Sequence, residues 1–194
     1  METAIEWTPN ARKILVTAAQ LFYDHGITAV GVDRIAAESG VTKRTLYDRF
    51  GSKERLVVEY LRARDAEWRA LLDARVAAAG ADPRARVGAI FDACAEWMRT
   101  RADKGCGMIR AHAELPPEHP GYAVVIGQKH WMRELFACLA ADAGAPDPVA
   151  TATTLLLLHE GALVCFGTRI AEDSIMHARA AALALLPGAE PPSP

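Results

Sequence analysis

Five basic side chains, Lys43, Arg44, Arg49, Lys53 and Arg55, fall within residues 40–55 of this 194-residue chain, against two acids, Asp48 and Glu54. The window carries +3 while the whole chain carries −2, so the remainder carries −5. Clustered cations of this kind neutralise phosphates, and Lys and Arg also read base edges in a DNA groove. Residues 1–55 hold eight basic against seven acidic groups, so the patch is confined to its own short segment. A broadly basic nucleic-acid coat is excluded by 22 Lys+Arg against 24 Asp+Glu overall. A charged run is also what a plain solvated helix face looks like, so charge alone decides nothing.

Catalytic and metal chemistries fail on spacing. His159-Glu160 begins an H-E-x-x-H pattern, but position 163 is Leu. His112, Glu114 and His119 straddle Pro116 and Pro117 and lack a fixed helical register. Gly105-Cys106-Gly107 is too short for a phosphate loop, and no Ser-His-Asp elbow occurs. No cofactor, no metal and no enzyme activity are expected, and a helical enzyme is the remote alternative. The four cysteines, Cys94, Cys106, Cys138 and Cys165, form no C-x-x-C pair, which fits a reducing cytoplasm. Cys106, between two glycines near a predicted helix start, is the candidate for a thiol redox sensor, the alternative being four small core residues. An effector pocket has eight candidates: Trp97, Met98, Met108, His112, Trp131, Phe136, His159 and Phe166. Aromatic and Met side chains at helical spacing equally suit a core.

These groups must be held by helices. The chain is 51% hydrophobic, enough for a packed core, and lacks β-branched runs in period-2 alternation. Thr8-Pro9, Asp82-Pro83 and Asp147-Pro148 each set a capping side chain before a proline suited to the first helical turn. The pattern predicts helices over 9–24, with Gly26 as a left-handed cap, and over 32–38. A third is capped by Thr42 and ends near Phe50, and a fourth is capped by Ser52 and runs to Ala79. Five more are expected over 83–100, 108–114, 121–143, 148–169 and 173–186. The fold class is thus all-α, with about nine helices. The N-terminus shows no signal peptide. Thr151–Phe166 is apolar but interrupted by His159, Glu160 and Gly161, so no membrane association is expected.

Two short helices joined by a glycine turn after an amphipathic helix suggest a helix-turn-helix. Ala36 permits close approach, Gly40 permits positive φ, and Val41, Leu46 and Phe50 can face inward. Lys43, Arg44, Tyr47 and Asp48 then face outward. Residues 12–56 as a whole resemble the DNA-binding domain of the TetR family of transcriptional regulators. The resemblance is carried by Ala19, Leu21, Phe22, Gly26, Val32, Ile35, Ala36, Gly40, Val41, Thr42, Leu46, Tyr47, Phe50, Ser52, Lys53, Glu54 and Leu56.

It implies phosphate contacts from Thr42 and Lys53, base or phosphate contacts from Lys43 and Arg44, and backbone or thymine-methyl contacts from Thr45 and Tyr47. Gly31 stands where the family often caps with Ser or Thr. Arg49 replaces a frequent His or Tyr and adds a possible phosphate contact. The resemblance also implies a cytoplasmic homodimer through 148–169 and 173–186 on a palindromic double-stranded operator, a repressor released by an unknown small molecule. The expected domains are 8–68 (helix-turn-helix about 31–50), a ligand-binding and dimerisation domain over 69–186, and a disordered tail over 187–194.

Overall fold

Nine helices make up the secondary structure of the described residues of this chain, a computed structural model that describes residues 5–188. They are α1 (Pro9–His25), α2 (Val32–Ser39), α3 (Lys43–Phe50), α4 (Lys53–Ala78), α5 (Pro83–Arg101), α6 (Gly107–Glu114), α7 (Pro120–Asp142), α8 (Pro148–Gly167) and α9 (Ser174–Ala184). Caps account for the starts of α1, α5 and α8. Thr8 Oγ1 accepts from the Ala11 N–H at 3.2 Å, Asp82 from the Arg84 N–H at 3.0 Å, and Asp147 from the Ala150 N–H at 3.0 Å. Each satisfies an amide that the first turn leaves without a helical partner.

Two expected ends differ. The last helix, expected over 173–186, runs only from Ser174 to Ala184, and the Asp173 carboxylate meets His177 Nε2 at 2.9 Å. Gly26 ends α1 not in the left-handed helical region but at φ 91°, ψ 151°. Its N–H still reaches the Phe22 carbonyl. The expected tail lies largely outside the described residues, which stop at Gly188.

The chain forms two compact units. One runs to Asp65 and takes in Gly107–Ile126; the other comprises Ala66–Cys106 and the chain from Gly127 onward. In the first, α1, α2 and α3 pack on one another. Ile14, Ala18, Ile35, Leu46 and Phe50 are fully buried, and Val41 is half-buried. In the second, α9 packs on α5 and α8. Phe91 and Phe136 lie 6.2 Å apart, and Trp68 meets Trp97 edge-on at 5.7 Å. Burying each such ring contributes roughly 1.5–3 kcal/mol.

α8 ends at Gly167, two residues short of the expected 148–169, and stays apolar across its interruptions. It is 20 residues long and holds an 18-residue window of mean hydropathy 1.6, which meets the length and composition needed to cross a membrane. One side of it is buried, through Ala152, Leu155, His159, Ala162 and Leu163, while Val149, Leu157 and Val164 stay exposed.

Candidate nucleic-acid interface

Local rules build the α2–α3 element. Gly40 takes the left-handed conformation (φ 63°, ψ 33°) that turns the chain between the helices. Ser39, fully buried, satisfies its hydroxyl on the Ile35 carbonyl at 2.6 Å. Thr42 caps α3 by accepting the Thr45 N–H at 3.1 Å, and the two hydroxyls lie 2.8 Å apart. With Leu46 and Phe50 turned inward, Thr42, Lys43, Arg44, Tyr47 and Asp48 are exposed on one face. Thr45 is half-buried beside them. Lys53 opens α4, after Ser52, whose hydroxyl accepts the Arg55 N–H at 3.1 Å.

Carboxylates occupy several of these cations. Lys43 Nζ lies 2.9 Å from Asp33, whose hydrogen bond and charge raise the lysine pKa. Arg44 is 3.8 Å from Asp48, one turn on. Arg49 reaches back to Glu6 at 2.7 Å, away from the exposed face. Lys53 lies over the Phe22 ring at 6.0 Å; burial lowers its pKa, with the charge of Glu114 opposing. The side chains directed outward are therefore Lys43, Arg44 and Tyr47, with Thr42 and Lys53 at two helix starts, where partial positive charge favours anions.

Residues 14–60 match the profile described as bacterial regulatory proteins, tetR family. A TetR-family transcriptional regulator from Streptomyces coelicolor is similar over almost the whole length. It has 29% identity, coverage of 91% of this chain and 95% of that one, and a TM-score of 0.85. The likeness to the tetR family is carried by residues 14–60, and the likeness of fold extends over almost the whole chain. Lower-identity neighbours share the fold of this chain. The regulatory protein TetR from Rhodobacter sphaeroides has 21% identity, coverage of 92% and 100%, and a TM-score of 0.78. A TetR regulator from Legionella pneumophila has 16% identity, coverage of 96% and 100%, and a TM-score of 0.78. No curated protein matches. The proteins it resembles in both sequence and fold are transcriptional regulators.

The α1–α3 head of the first unit is held by residues far away in sequence. Glu114, at the end of α6, accepts the Thr28 N–H at 2.7 Å across 86 positions. Its carboxylate lies where a Cβ on Gly26 would stand, 3.0 Å away. Arg110 donates to the Tyr23 carbonyl at 2.6 Å, and its guanidinium lies 5.2 Å from the Tyr23 ring. α6 thus serves as a clasp on the end of α1 and on the loop leading to α2. Nothing in the local sequence of α6 announces this.

The eight effector candidates are divided between the two units. Met108 and His112 belong to the first unit, where His112 Nε2 meets the Tyr122 hydroxyl at 3.0 Å in an exposed setting. The other six belong to the second unit. Met98 and Phe136 are fully buried, Trp97 is 9% exposed, and Arg69 covers Trp131 at 3.9 Å. Phe166 is half-buried. His159 sits among Trp68, Phe91 and Phe136, with ring centroids 6.1 to 6.2 Å away. An open groove of about 580 Å3 between α4 and α5, lined by Arg75, Ala78, Ala85, Asp92, Glu96 and Arg99, involves none of the eight.

A polar cluster missed from the sequence lies beside His159. Lys129 donates to Glu160 Oε1 at 2.8 Å and to Cys106 Sγ at 3.6 Å, and His159 Nδ1 is 3.2 Å from the same Glu160 oxygen. Burial raises the Glu160 carboxyl pKa, but the His159 hydrogen bond and the Lys129 charge outweigh it and bring it to about 2. Burial lowers the Lys129 pKa, and the neighbouring Cys106 and Glu160 more than reverse that. Only the tertiary structure brings Cys106, Lys129 and Glu160 together.

Proposed function

We propose that this regulator is a homodimeric repressor that binds a palindromic operator through α3 and releases it when a small-molecule effector acts on the second unit. The exposed α3 face of Lys43, Arg44 and Tyr47, opened by the Thr42 cap, carries the reading. Lys43 and Arg44 reach base edges or phosphates, and Tyr47 and Thr45 contact the backbone or a thymine methyl. Thr42 and Lys53 bind phosphates at helix starts. Lys43 and Arg44 exchange Asp33 and Asp48 for DNA. Arg49, engaged with Glu6, is the least available of the set.

One head makes few base contacts, so selectivity calls for two. Leu157, Val164 and Met176 on α8 and α9 are 68%, 56% and 52% exposed, apolar surface that suits a second copy of the chain. The same surface, together with the buried His159 and Glu160 on α8, favours a cytoplasmic dimer over a membrane span. The six second-unit candidates, from Trp97 to Phe166, provide the environment of the effector, and no catalytic role is assigned.

The test is fluorescence anisotropy with promoter DNA from the protein's own gene and with a scrambled duplex. A salt-dependent preference for the promoter of about a thousandfold is expected of a specific site. Equal affinity for both duplexes would refute the reading.

A further inference from the structure

We propose that Cys106 is the point at which this regulator senses hydroperoxides, with Lys129 supplying the proton that the reaction consumes. The inference rests on the DNA-binding reading above and gives its effector a chemistry.

Cys106 Sγ accepts from Lys129 Nζ at 3.6 Å, and the same ammonium is fixed by Glu160 Oε1 at 2.8 Å. The side chains of Lys129 and Glu160 are only 18% and 22% exposed, and that of His159 4%. A buried ion pair gains little stability over apolar packing, so stability alone does not explain the arrangement. Its hydrogen bonding is also incomplete: His159 Nε2 and Glu160 Oε2 are buried with no hydrogen-bond partner. The backbone beside the sulfur is held tightly. Gly105 has φ +95°, and a Cβ on Gly167, at the end of α8, would stand 2.7 Å from the Gly105 Cα. Among the other thiols, Cys94 is deeply buried, which pushes its pKa far up, while Cys138 is exposed.

A half-buried sulfur with a fixed proton donor suits a small oxidant better than a bulky ligand. Sγ attacks the distal oxygen of the hydroperoxide and its own proton leaves to water. The S–O bond forms as the O–O bond breaks, and the departing oxygen takes a proton from Lys129 Nζ, which water then restores. The thiol and hydroperoxide become a sulfenic acid and an alcohol; sulfur loses two electrons and the peroxide gains them. The added oxygen enters the space between Sγ and Nζ. Cys106 is bonded directly to Gly107, the first residue of α6, whose Arg110 and Glu114 hold the end of α1 and the Thr28 amide. Displacing the sulfur therefore strains the start of this clasp, and operator affinity falls.

The full-length protein is treated with hydrogen peroxide, sulfenic acid is trapped with dimedone, and labelling is followed at each cysteine by peptide mass spectrometry. Operator binding of the reduced protein is read first and separately, so a failure there tells against the DNA-binding reading and not against the thiol chemistry. Cys106 is expected to label about a hundredfold faster than exposed Cys138, roughly the low end of what a positioned proton donor supplies. K129M/E160Q, which strands no charge, should remove that advantage. K129R should keep the charge but slow labelling, because Arg is a poor proton donor. C106S should bind operator normally and no longer lose it to peroxide. Equal labelling of Cys106 and Cys138, an undiminished rate in both Lys129 variants, or loss of operator binding by oxidised C106S would overturn the proposal.

Discussion

Replacing Gly26 by Ala tests whether the clasp between α6 and the DNA-binding head is built on the absence of a side chain. Gly26 has φ 91° and ψ 151°, a region almost closed to other residues, and holding Ala there costs about 1–3 kcal/mol. The new Cβ would also stand 3.0 and 3.1 Å from the two Glu114 oxygens. The carboxylate must then move off the Thr28 N–H, which it now accepts at 2.7 Å. A hydrogen bond to a charged group contributes about 1.5–3 kcal/mol, and the exposed setting brings this nearer 1. G26A should therefore destabilise by about 2–4 kcal/mol, a drop in melting temperature of roughly 5–15 °C for a chain of this size. Circular dichroism melts of G26A, E114A and the double variant separate the parts. In the E114A background only the backbone strain, about 1–3 kcal/mol, should remain. A G26A protein within about 0.5 kcal/mol of the parent, as at an ordinary surface site, would refute the reasoning. An equal cost in both backgrounds would remove the Glu114 contact from it.

Three further outcomes are expected. Lys53→Ala should lower the slope of log affinity against log salt by about 0.9 per head, near 2 for a two-headed dimer, in anisotropy titrations across KCl concentration; an unchanged slope would remove Lys53 from the phosphate contacts. Glu160 is held at about 2 against an ordinary 4.5. Its contribution is thus present above the unfolded pKa and lost as pH falls from about 4.5 through 2, up to ~3 kcal/mol. E160Q should flatten this acid limb in urea titrations read against pH, and an identical limb would contradict the assignment. Leu157→Lys with Val164→Glu should give monomers in sedimentation velocity with the melting temperature nearly kept; a persisting dimer would place the interface elsewhere.

Much of the head was legible because its signals are local. Thr42 before a helix, Gly40 in the turn and the inward spacing of Leu46 and Phe50 depend on backbone rules acting over a few residues, and the structure follows them. Helix starts at Pro9, Pro83 and Pro148 were readable for the same reason. The misjudged ends, at Gly26 and Asp173, are where a partner replaced the local rule. Glu114 holds the loop after α1, and the Asp173 carboxylate, just before α9, meets His177.

The sequence by itself determined the all-α class, the helix-turn-helix and the outward face of α3. These follow from capping, glycine geometry and 3.6-residue periodicity, all short-range physics. Only the tertiary structure decided that Arg49 turns to Glu6, that α6 clasps the head, and that Cys106 meets Lys129 and Glu160. Such pairings span 23 to 87 positions, and the energy that selects them arises only when packing excludes water around them.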